Sequence, residues 1–165
     1  MKKHFGKYRG LVTNNIDPNR MGRLQVACPT VLEANPLAWA MPCVPFAGLG
    51  EGFYMMPMPG SNVWVEFEAG DPGRPIWSGC FWTTNQIPTE ALLPTVRTIS
   101  TLAARLTLDD TPGIGGVTIT VGPPAVAVPC TISCGIDGIE ITVGKAKIML
   151  DVVMVNVNDG ALQVI

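Results

Sequence analysis

Histidine occurs once in the 165 residues, at His4, and charged side chains make up only 15% of the chain. The first scarcity removes whole classes of chemistry. A Ser-His or Cys-His nucleophile pair has no other imidazole to draw on. A metal site would need Cys or His partners at matched spacing, and the ligands are too few. The five cysteines, Cys28, Cys43, Cys80, Cys130 and Cys134, are odd in number and irregularly spaced, which predicts free thiols rather than a disulfide framework. Cys130 and Cys134 lie four apart on an alternating segment and so share a face. No apolar run approaches the ~18–20 residues of a spanning helix. Met1 to Gly10 lack the apolar stretch of a signal peptide, so a reducing compartment is expected.

The shortage of charge points toward assembly. A small monomer has a large surface for its volume and needs polar groups to cover it. Here 47% of residues are hydrophobic, so the excess apolar surface predicts an obligate oligomer interface. A net charge of −2 opposes nucleic-acid binding by bulk electrostatics. The basic residues are unevenly spread, with Lys2, Lys3, Lys7, Arg9, Arg20 and Arg23 all in the first 23 positions. They read either as a solvated rim or as a docking surface for an acidic protein partner.

Glycine and proline are abundant, 18 and 15 residues, and dispersed prolines favour short strands and turns over long helices. The first region reads as strands at Tyr8 to Thr13, Gly22 to Cys28, Trp39 to Pro45, Asn62 to Glu68 and Ile76 to Trp82. Asn14 to Met21 and Gly70 to Pro75 read as turns, and Gly48 to Gly52 as a flexible turn before Phe53 to Pro57. Val63, Val65 and Phe67 alternate against Asn62, Trp64, Glu66 and Glu68. Five to six short strands in this length predict a small closed antiparallel barrel of the OB type.

Beyond a proline-bearing linker the pattern changes. Gly116 to Gly122 reads GVTITVG and Gly138 to Gly144 reads GIEITVG. Apolar positions are odd at Val117, Ile119 and Val121 and even from Val126 through Val128, Cys130, Ile132 and Cys134. They are odd again at Ile139, Ile141 and Val143, even from Ala146 to Val152, and odd at Val153, Val155 and Val157. A strand cannot change its buried face without a turn or bulge. Glycines supply turns at most switches; the Val152/Val153 switch has none, so a bend is expected there. Such strands cannot bury an apolar face alone, and intertwining three copies would pair their edges and cover that face.

Apparent chemical motifs reduce to structure. Asp109 and Asp110 are neighbours, which on a strand point to opposite faces, and with Thr111, Pro112 and Gly113 they read as a turn. Gly70-Asp71-Pro72 lacks the strand and helix of a nucleotide loop. Trp39, Trp64, Trp77 and Trp82 read as barrel packing and subunit contact rather than a stacking platform, since Glu66 and Glu68 flank Trp64. A second reading remains, an OB-fold binding module for oligonucleotide or glycan with a β tail for oligomerisation. An enzyme is a third, which the ligand inventory disfavours.

Gly10 to Pro29, Trp39 to Gly48 and Gly52 to Trp82 together resemble the OB-fold domain of the baseplate assembly protein V family. These are central spikes of contractile phage tails, related to valine-glycine-repeat proteins of type VI secretion and to contractile injection system spikes. The resemblance rests on Asp17-Pro-x-x-x-Gly-Arg23, Gly70-Asp-Pro72, Leu108 to Gly113, the GIEITVG unit and the ending Val157 to Ile165. It implies an all-β chain: an OB-fold barrel at 1–84, a linker at 85–98 and an intertwined trimeric β-helix or β-prism needle at 99–165.

Its implied function is a structural homotrimeric spike that docks to a baseplate hub and pierces an envelope, touching the membrane only transiently. Assembly in the bacterial cytoplasm follows from the same resemblance. The trimer core would comprise Val117, Ile119, Val121, Ile139, Ile141, Val143, Ile148 and Leu150. Lys2, Lys3, Lys7 and Arg9 would face the hub. Ala161, Leu162, Val164 and Ile165 would form an apolar platform for a PAAR-type tip protein. Some family members insert a lysozyme domain between barrel and needle or end in a His-x-His iron apex. The short linker and the lone His4 leave room for neither, so no hydrolysis, metal or cofactor is expected.

Overall fold

The computed structural model describes residues 2–32 and 39–164. The chain divides into two compact units, Met1–Gln86 and Ile87–Ile165. Both are built from strands; among the described residues the α-helical content is the turn Pro29–Leu32.

In the first unit the strands are β1 (Tyr8–Asn14), β2 (Leu24–Ala27), β3 (Trp39–Pro42), β4 (Ala47–Gly48), β5 (Glu51–Gly52), β6 (Asn62–Phe67) and β7 (Pro75–Cys80). Five of them close a barrel in the order β1-β2-β3-β7-β6. Every pairing is antiparallel except β3 with β7, which run parallel and complete the circle. Alternation selects the interior. Leu24, Val26, Val63 and Val65 are fully buried, and Val12, Cys28, Ala40, Phe67 and Trp77 join them. Intervening residues such as Arg9, Trp64 and Glu66 stay on the outside. The Trp77 indole N–H donates to the Gly22 carbonyl at 3.1 Å, so the one buried polar handle is satisfied.

One detail of this unit differs from the expectation. Gly48 to Gly52 is not a loose turn but the heart of the β4–β5 hairpin, with Ala47 opposite Gly52 and Gly48 opposite Glu51. Phe53 to Pro57 then runs without strand pairing; the Phe53 amide donates to the Phe46 carbonyl, and the Asn15 side-chain amide donates to the Pro57 carbonyl at 3.0 Å.

The second unit opens with a 3-10 turn at Thr89–Leu92 and continues as β8 (Val96–Ser100), β9 (Ala104–Asp109), β10 (Gly116–Val121), β11 (Cys130–Gly135), β12 (Gly138–Val143), β13 (Ala146–Leu150), β14 (Val155–Val157) and β15 (Leu162–Val164). These strands form one antiparallel meander in strict sequence order, leaving β8 and β15 as edges. Two-residue turns join β11 to β12 and β12 to β13, which keeps apolar positions on one face as their parity switches.

The bend expected near Val152/Val153 is present. The Asp151 carboxylate accepts the Val153 and Met154 amides at 2.7 and 2.8 Å, holding the tight β13–β14 connection. By contrast, Val126 and Val128 do not extend β11. They lie in the Gly122–Pro129 connection, where the Ala125 and Val126 amides bond the Gly122 carbonyl and the flanking prolines have no amide to give a ladder.

The two near-repeats share a reason for starting with glycine. A β-carbon on Gly116 would strike the Cys134 carbonyl of the next strand, and one on Gly138 would strike the Leu150 carbonyl. Each marks a close backbone approach that a side chain would prevent.

Candidate interaction surfaces

Cross-strand register turns the alternation of the meander into continuous rows. Ile99, Leu106, Ile119, Ile132, Ile141, Ile148, Val157 and Leu162 stand opposite one another in succession, one from each of the eight strands. A second row runs beside it through Leu108, Val117, Cys134, Ile139, Leu150, Val155 and Val164. A shorter third row holds Ala104, Val121, Cys130, Val143 and Ala146. The opposite face is largely polar, with Thr98, Thr107, Thr118, Ser133 and Glu140 in one row and Arg105, Thr120, Thr131, Thr142 and Lys147 in another. The Lys147 ammonium pairs with Glu140 at 2.9 Å, and that carboxylate, followed by Asp159, raises the lysine pKa.

Within this unit no described segment covers the apolar face. None of the described residues of this unit is buried, and Ile141, Ile148, Leu150 and Val117 remain 40–41% exposed. Removing the rest of such side chains from water is worth on the order of 1 kcal/mol each. All eight residues expected in a trimer core fall on these rows. Register also adds Ile132, Val155 and Val157, which the alternation named but the expected set omitted, and Ile99, Leu106 and Leu108, which it did not name. The signal that finds them is the pairing, which a single strand does not contain. Leu162 and Val164 continue the same two rows onto the edge strand, and Ala161 ends the turn before it. Ile165 lies outside the described residues.

The barrel surface is organised around ion pairs. Asp17, with its side chain only 4% exposed, accepts the backbone amides of Asn19, Met21 and Arg23. The Arg23 guanidinium closes on the same carboxylate at 2.7 Å and also lies over the Trp39 ring. Chiefly because of that guanidinium, the Asp17 pKa lies far below the ordinary carboxylate range. The Asp-Pro-x-x-x-Gly-Arg motif is thus a knot that fixes the β1–β2 turn.

The basic N-terminus is largely engaged within the chain. Lys3 donates to the Ala69 carbonyl, and Lys7 bonds Ser78 and pairs with Glu66 at 3.0 Å, which lowers the Glu66 pKa. Arg9 sits over the Trp64 and Phe81 rings, whose centroids are 4.6 Å apart, while Lys2 is exposed. The tryptophans occupy separate environments: Trp77 in the core, Trp39 with Arg23, Trp64 with Phe81, and Trp82 exposed.

Asp109 is capped by the Thr111 amide at 2.9 Å, and Asp110 pairs with Arg97, so the two carboxylates serve different partners. Among the described residues no group of three or more His, Cys, Asp or Glu is arranged to hold a metal ion. Among the described residues no helix is long and apolar enough to cross a membrane.

Comparison with known proteins divides the chain along the same lines. The family described as the type VI secretion system/phage-baseplate injector OB domain matches residues 8–82. The family described as the phage baseplate V C-terminal trimerisation domain matches residues 96–163. No curated protein matches the chain. The closed five-stranded barrel fits an OB domain, the β-rich C-terminal unit coincides with the trimerisation match, and together the matches span most of the sequence. The chain belongs to the phage baseplate V family, as a structural baseplate protein with an injector OB domain and a trimerisation domain.

Proposed function

We propose that this protein is the homotrimeric central spike of a contractile tail or injection machine. Three meanders bring their aliphatic rows together to form a rigid needle, and the three barrels dock to the baseplate hub. The observation that carries this reading is the uncovered face of the meander: eight strands each contribute an aliphatic residue to one row, and no described residue of the unit buries it. An apolar face this continuous requires a partner of matching chemistry, and a match to a trimerisation domain supports two further copies of itself.

On contraction the needle is driven through an envelope. The design suits compression, since short paired strands with tight turns leave little unpaired backbone to buckle. The edge strand β15 and the adjoining Ala161 offer the apolar end to which a PAAR-type tip protein binds. The basic N-terminal residues, led by the exposed Lys2, face the hub. The protein works without hydrolysis, a reading supported by its single histidine and by carboxylates committed to turns and ion pairs.

The test is the state of the purified chain. Light scattering should give three times the chain mass, and the band should stay trimeric in detergent without heating. A monomer in light scattering would sink the proposal.

A further inference from the structure

The barrel carries a groove of about 430 Å³ that neither the meander nor the ion-pair knot explains. Its apolar walls come from Met21, Phe46, Phe53, Met55 and Met56; the first four keep roughly half their surface exposed and Met56 is partly buried. The β4–β5 hairpin forms one side of it, with Leu49 at the hairpin tip between Gly48 and Gly50. Leu49 is fully exposed and does not line the groove. One chain therefore presents an apolar knob and an apolar hole that do not satisfy each other.

The charges at the groove are also complementary to a copy of the same surface. Arg20 and Glu51 both line it, and neither has an ion-pair partner among the described residues. A copy that docks knob-first meets one charge of each sign. Methionine walls adapt to an inserted side chain at little cost.

We infer that Leu49 of one copy inserts into the groove of the next, closing a three-membered ring of barrels. The contact is head-to-tail, and head-to-tail contacts form closed rings when the rotation between copies matches the assembly. One hairpin tip buries far less than the ~1,200–2,000 Å² of a stable free complex. It becomes sufficient once the trimerisation domain tethers three barrels at an effective concentration in the millimolar range. The inference rests on the trimeric reading proposed above and adds a second, weaker interface to it.

The experiment uses the full chain with the benzophenone amino acid in place of Leu49, a position whose exposure leaves the fold free of it. Irradiation of the purified trimer should join chains covalently, and peptide mapping should find the other end at Met21 or Met55, since benzophenone favours methionine. Glu51→Arg should lower the crosslinked fraction about two- to fivefold, the size of an exposed ion pair, and Arg20→Glu in the same chain should restore it.

A preparation that is trimeric by light scattering but gives no inter-chain crosslink would overturn the inference while leaving the spike reading intact. So would crosslinks that map to the meander, or that form only with a co-purifying protein of another sequence. A monomeric preparation would overturn both.

Discussion

The barrel and the meander use the same code and reach opposite ends. In each, apolar residues alternate along short strands. In the barrel, Leu24, Val26, Val63 and Val65 are sealed inside because five strands return to their starting point through the parallel β3–β7 pair. In the meander, strands are added one after another and never return, so Ile119, Ile141 and Ile148 stay 40–44% exposed. The difference lies in closure. A closed sheet completes its core within one chain, whereas an open sheet with one apolar face needs other chains to do so.

The comparison can be broken at its most sensitive point by Ile141→Asp. If the apolar rows meet in a trimer, this change buries three carboxylates where water is excluded, and the cost exceeds what the interface can bear. Light scattering should show dissociation, while near-UV circular dichroism of the barrel tryptophans is retained. A variant that stays trimeric and heat-stable would remove these rows from the interior.

Leu24→Ala should give the reverse pattern. The barrel should lose about 2–5 kcal/mol to the cavity, read as a lower denaturant midpoint of the tryptophan signal, with the oligomeric mass unchanged.

Acid should separate the units more gently. Asp17 has a folded pKa depressed below its ordinary value of 3.8, so its contribution is fully present above that value and is lost as pH falls through and below it. The barrel transition should therefore weaken progressively below about pH 4, and Asp17→Asn should flatten that dependence.

The smallest effect belongs to Lys7→Ala. The Lys7–Glu66 pair is half exposed and should contribute only about 0.2–1 kcal/mol to barrel stability, with no change in mass.

Much of this was readable before any coordinates. The barrel strands announce themselves through alternation, as in Val63, Val65 and Phe67, because each strand has one wet and one dry side. The face of the meander was readable for the same reason, strand by strand. Features that depend on partners distant in sequence were not. The continuous row through Ile99, Leu106, Ile132 and Val157 exists only in the register of eight strands. Val126 and Val128 keep the strand period yet sit in a connection, because the neighbouring prolines remove ladder donors. The Asp17 knot looked like a turn; that Arg23 folds back over it depends on side-chain geometry. The basic N-terminus reads as a solvated rim or a docking surface; that Lys7 also pairs with Glu66 and Arg9 lies over the Trp64 and Phe81 rings depends on strands distant in sequence.

The missing closure of the meander has a consequence for biosynthesis. The barrel is encoded first and can finish folding while the ribosome is still translating. If the meander trimerises as proposed, it cannot finish until two sibling chains arrive. Between those moments each newborn chain exposes a greasy ribbon of eight strands with two free edges, a shape prone to sticking to the wrong neighbour. The pace of maturation is then set by encounters between chains and so by their concentration. Closely spaced synthesis from one messenger would be the natural remedy.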